Sequence, residues 1–113
     1  MKEKYGMIDY NDKSYILAFT FNTMEEIQEE YGSIEEWGEM CGGTEPSAKA
    51  IKFGFAAMLN EGIDIQNEKN GTNEKPLTLK QVGRLITNVG LEIVVNALMA
   101  TVAKSTEIDE KNA

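Results

Sequence analysis

The sequence predicts an α+β fold that is mostly α-helical: a small N-terminal β-hairpin followed by four to five helices. Three observations carry that expectation. Residues 5–21 alternate side-chain character with period two around a turn-forming Asn11-Asp12-Lys13. Helix-capping signals recur ahead of apolar stripes at helical spacing. Glycines and one long polar run punctuate those stripes.

In the hairpin, Tyr15, Leu17, Phe19 and Phe21 fall on one face of the second strand, with Ala18 and Thr20 on the other. A lone hairpin is marginal in water, so the helices that follow must cover its apolar face. Asn22 is read as the cap of the first helix, with Glu25 at the reciprocal capping-box position, Met24, Ile27 and Tyr31 on one face, Ile27 and Tyr31 inward, and Gly32 as its end. Ser33 opens a second, shorter helix by the same logic, burying Ile34, Trp37 and Met40. Pro46 suits the first turn of a third helix. There Ala48, Ile51, Phe55, Met58 and Leu59 form the clearest amphipathic stripe, and Gly62 is read as its end.

Residues 62–76 are expected to be an exposed, mobile loop, since Glu68 to Pro76 is polar and lacks an apolar period. Thr78 and Gln81 form another capping box, opening a helix with Leu79, Val82, Leu85 and Ile86 inward. Asn88-Val89-Gly90 interrupts it. Leu91, Val94, Val95, Leu98, Met99 and Val102 make the last stripe. Residues 105–113 are polar and acidic and are expected to be a disordered tail. The organisation predicted is one globular domain over 1–104.

The 113 residues, 42% of them hydrophobic, suffice for a core without disulfides or metal. The net charge of −8 opposes nucleic-acid backbones and anionic membranes and favours solubility or a basic partner surface. No apolar stretch is long enough to span a bilayer, and the mixed-charge N-terminus does not read as a signal peptide; a cytoplasmic protein is expected. The chain has no His, which removes the usual general base and the commonest metal ligand. Cys41 stands alone and nothing near it in sequence would lower its pKa. The carboxylates Glu25, Glu26, Glu29, Glu30, Glu35, Glu36 and Glu39 are read as helix starts and solvated faces, not as an acid–base pair or a metal set. Gly42-Gly43, Gly54 and Gly90 match no phosphate-binding pattern. No catalytic residue, cofactor or metal site is predicted, and the expected class is a protein-binding domain. Trp37, Tyr31 and Phe55 are read as core. Phe53 sits off the Ile51/Phe55/Met58 stripe and is either exposed or a cover for the hairpin.

The order of segments carries a resemblance. A short hairpin leads into "FNTMEEIQEEYGSIEEW"; then come "FGFAAMLNEGID", a polar loop, "LTLKQVGRLI" and a last apolar helix. Over roughly residues 14–103 this resembles the tail assembly chaperones of long-tailed bacteriophages and prophages. The resemblance rests on pattern and order, with no catalytic signature. It implies a non-catalytic protein of the bacterial host cytoplasm. Such a protein binds the tape measure protein, keeps it soluble, assists tail-tube subunits around it, and leaves before the virion matures. In that family a longer product often arises by ribosomal frameshifting, with which Lys111-Asn112 is compatible. Two other readings stand beside it: a small phage or mobile-element regulator binding a host protein, and a structural tail or connector protein that stays in the virion. The partner surface is expected on the wide arc of the last helix, at Leu91, Val95, Met99 and Val102, together with Phe53; the competing reading is that the whole arc, Met99 included, is core. The same arc leaves room for self-association.

Overall fold

The computed structural model describes residues 5–111, with side chains described over 5–105. Among the described residues the order is β1 (Gly6–Tyr10), β2 (Lys13–Leu17), α1 (Phe21–Tyr31), α2 (Ile34–Cys41), α3 (Ala48–Asn70), α4 (Leu79–Val89) and α5 (Leu91–Lys111). The fold is α+β and mostly helical, a two-stranded antiparallel hairpin followed by five helices.

The hairpin pairs Gly6 with Leu17 at its open end and Tyr10 with Lys13 at the turn. Asn11 and Asp12 both take left-handed backbone, with φ of 53° and 60°. That geometry matches the right-handed twist of the strands, and Asn and Asp tolerate it better than other residues with a Cβ. The period-two pattern, expected to reach Phe21, stops at Leu17. Ala18 donates its N–H to the Met58 carbonyl at 3.1 Å, which ties the strand exit to α3. Thr20 then caps α1, its hydroxyl accepting from the Thr23 N–H at 3.4 Å. The cap thus lies two residues before the expected Asn22. Phe21 opens the helix instead of ending the strand, and is 78% exposed.

The other caps follow the chemistry read from the sequence. Ser33 accepts from the Glu36 N–H at 3.0 Å. Thr78 and Gln81 complete both halves of a capping box, at 3.1 and 2.8 Å. Ser47 caps α3, so Pro46 falls just before that helix and not in its first turn. Gly90, at φ 111°, separates α4 from α5, whose axes meet at 109°.

The largest correction concerns α3. It does not end at Gly62 but runs 23 residues, to Asn70, and closes on Gly71 at φ 65°. Gly62 is a close-approach residue in mid-helix: a Cβ there would strike the Ile16 carbonyl of β2. Residues 62–70, expected in a loop, are therefore helical, and only 71–78 join α3 to α4 without regular structure. That connection is fastened to α3. Asn67 donates to the Glu74 carbonyl and accepts from the Glu74 N–H, both at 3.0 Å. Asn60, two turns earlier, does the same for Leu77 at 3.1 and 2.8 Å. Lys13 closes on Glu74 at 2.7 Å, joining the connection to the hairpin turn.

The expected disordered tail is corrected over 105–111, where the backbone continues α5 without a break at 104; residues 112–113 lie outside the described residues. Ser105 donates to the Phe19 carbonyl at 3.1 Å.

The core lies between α3, the hairpin and the flanking helices. Leu17, Ile27, Trp37, Ile51, Phe55, Met58, Leu59, Val82, Leu85, Val94 and Leu98 are buried as the sequence predicts. Phe19, Tyr31, Ile86 and Met99, also expected inside, are half-buried and pack against that core. Ile8, Cys41, Ala50, Ala56 and Ile63 join it. Trp37 reaches α3 by donating Nε1–H to the Ala50 carbonyl at 2.9 Å, and its ring lies where a Cβ on Gly54 would stand.

Candidate functional site

Helix α3 is the axis of the molecule. One side of it is buried, and grooves open along its flanks. In the larger, of about 480 Å³, the residues of α3 are Phe53, Ala56, Ala57, Asn60, Glu61 and Asp64. Their spacing is that of a single helical stripe about three turns long. Asn22 and Glu26 of α1 form one wall, and Leu79, the first residue of α4, stands on the other.

The local folding explains why this stripe stays open. Ala56 and Ala57 are small, so the floor is low at its centre. The Phe53 ring packs edge-on against Tyr31, centroids 5.6 Å apart, and is half-buried. Asn60 spends its amide on the Leu77 backbone. That contact brings the connection over α3 and delivers Leu79, 55% exposed, to the groove rim.

Its charge is of one sign. Glu61 accepts from the Thr20 hydroxyl at 2.5 Å and from the Asn22 amide at 3.2 Å, which fixes one carboxylate at the junction of β2 and α1. Asp64 and Glu26 add two more, and among the described residues neither has a salt-bridge partner. Partial burial raises the Glu26 carboxyl above the ordinary range, and the negative charges of Glu61, Glu29 and Glu25 push it further the same way.

A second groove, of about 430 Å³, lies between the start of α3 and the α4–α5 corner. Ile51, Ile86 and Leu91 give it apolar walls, while Lys49 and Lys52 give it positive charge. Lys49 sits 3.8 Å from Glu30.

The five residues expected at a partner surface are not brought together. Phe53 lines the acidic groove and Leu91, 48% exposed, the basic one. Val95, Met99 and Val102 are half-buried and pack against the core beside the fully buried row Val94, Leu98 and Thr101. The wide arc of α5 is thus largely a core contact, and among the described residues its exposed large apolar side chains are Leu91 and Ile93, the latter at 57%. Sequence reading missed Ala57, Glu61 and Asp64, and it placed Leu79 inward, whereas Leu79, as the first residue of α4, lies at the groove rim and is exposed. The signal was present, since 53, 57, 61 and 64 continue one helical face; taking Gly62 as a helix end removed Asp64, and Ala57 and Glu61 went unnoticed because the reading followed the buried stripe.

Cys41 is buried, and burial pushes its thiol up to about 11, so it is poorly suited to nucleophilic work. Among the described residues no three His, Cys, Asp or Glu side chains are placed to share a metal ion, and no single helix is long and apolar enough to cross a membrane. The chain matches no family model, no curated protein and no solved structure.

Proposed function

We propose that this chain is a non-catalytic phage tail assembly chaperone that binds the tape measure protein in the bacterial host cytoplasm and assists tail-tube assembly. The observation that carries the proposal is the uncovered stripe of α3, an open groove about three helical turns long that is apolar at Phe53, Ala56 and Ala57 and polar at Asn60, Glu61 and Asp64. An unenclosed tape measure protein offers long apolar helical stripes, and a helix laid in a groove is the contact that covers such a stripe. The order of segments supports the same reading, as does the net charge of −8, which keeps a complex soluble while an apolar partner is held. Leu91 and Ile93 supply further exposed apolar surface for tail-tube protein or for a second copy of the chain.

The test is co-expression with a tape measure protein from a long-tailed phage. The proposal expects that protein to move from the pellet to the soluble fraction and to co-purify with this chain. A tape measure protein that stays insoluble, or that is soluble without help, overturns it.

A further inference from the structure

We infer that the groove along residues 53–64 of α3 receives a helical segment of the partner whose apolar stripe is flanked by Lys or Arg. This rests on the reading of the chain as a protein-binding chaperone and adds the chemistry of the segment it holds.

Shape sets the first requirement. The floor follows one face of a helix: Phe53, Ala56 and Ala57 make its apolar part, Asn60, Glu61 and Asp64 continue it as a polar part, and Leu79 stands at the rim. Small residues let a second helix approach closely, and a stripe of about three turns matches the contact length of one short amphipathic helix.

Charge sets the second. Glu26, Glu61 and Asp64 border this floor, and no Lys or Arg lines it. The ion pairs of the described residues, Lys13–Glu74 and Lys49–Glu30, lie elsewhere. Glu61 is held in place by Thr20 and Asn22, so its charge cannot swing away from the groove. The free chain gains nothing from placing Glu26 beside Glu61: burial and then the neighbouring negative charge both disfavour the ionised Glu26 carboxyl. A cationic residue beside the partner's apolar stripe turns that repulsion into attraction, and a partner with acidic flanks is rejected. A divalent cation is the poorer occupant, because these carboxylates are not placed to share one.

The experiment uses two synthetic helical peptides of about 18 residues with the same Leu/Ala stripe, one flanked by Lys and the other by Glu. Fluorescence anisotropy measures their binding to the full chain, to Asp64→Lys and to Glu39→Lys. Both substitutions change net charge equally, but Glu39 is an exposed residue of α2 that does not line the groove. We expect the Lys peptide to bind the wild type and to lose about tenfold or more in affinity on Asp64→Lys, with less than about twofold lost on Glu39→Lys. Amide shifts in NMR spectra should centre on Ala57, Asp64 and Leu79. Equal losses in the two variants would mean charge attraction without a site and would overturn the inference. So would equal binding of the two peptides, or none. If wild type solubilises the tape measure protein and Asp64→Lys does so equally well, the chaperone reading stands and the groove inference falls. If the Lys peptide binds in the groove but the tape measure protein is not held, the groove stands and the chaperone reading falls.

Discussion

The two halves of α3 are one continuous helix held in two different ways. Residues 48–59 are fixed by side-chain burial: Ile51, Phe55, Met58 and Leu59 are almost wholly inaccessible, and Trp37 seats its ring on Gly54. Residues 60–70 bury only Gly62 and Ile63. They are held by backbone proximity at Gly62 and by two asparagines that mimic missing backbone partners for the connection to α4. Apolar area stabilises the first half and specific polar contacts the second, and only the first leaves a periodic trace in the sequence.

That contrast can be broken from either side. The largest effect is expected in the apolar half, where Phe55→Ala should cost about 3–5 kcal/mol, measured by denaturant unfolding. A cost below about 1 kcal/mol would mean that the ring is not the core element its burial indicates. In the second half, Gly62→Ala should cost about 1–3 kcal/mol despite the higher helix propensity of Ala, because the added methyl meets the β2 backbone, which cannot swing aside as a flexible side chain can. A stabilising Gly62→Ala would restore Gly62 as an ordinary helix terminator. Asn60→Ala should cost about 1–2 kcal/mol and should speed amide exchange at Leu77 while leaving Phe55 protected. Uniform loss of protection would show that the halves are not energetically separable.

The smallest effect concerns charge facing the second half. Glu26 holds its proton more readily in the folded chain than in the unfolded one, because of partial burial and then of Glu61, Glu29 and Glu25. The sign follows directly: folding gains as pH falls through the range just above the ordinary carboxylate value, and that gain is absent at neutral pH. Glu26→Gln should therefore raise Tm slightly at neutral pH, and the difference should shrink in acid. An unchanged difference between the two pH values would remove Glu26 as its source.

The same division explains what was legible from residues alone. The caps at Ser33 and Thr78, the two-residue turn and the stripe through Ile51, Phe55 and Leu59 are local or periodic, and the sequence states them. Gly62 was misread because its reason, Ile16, lies 46 positions earlier in the chain. Polar residues 66–70 read as loop because nothing nearby in sequence shows that Asn67 faces Glu74. Phe53 was singled out as off the main stripe, and it does line a groove. Its companion Asp64 was lost with the second half of the helix, and Glu61 was passed over as one more polar residue near the expected helix end. Val95, Met99 and Val102 were assigned to a surface because a helical wheel cannot show how much of a wide apolar arc its neighbours cover.

The hairpin carries a consequence for how the chain is made. It is synthesised before the helices that hold it: Met58 holds Ala18, Asn88 reaches the Tyr10 hydroxyl, Thr101 fills the space above Gly6, and Lys104 donates to the Tyr5 carbonyl. Two strands alone are marginal in water, and contacts this distant in sequence form slowly. On the ribosome the hairpin should therefore remain unprotected until α5 has emerged. Amide exchange on nascent chains stalled before and after residue 105 would time that closure: protection of Ile8 and Leu17 should appear only in the longer chain, and early protection would show a hairpin that needs no lid.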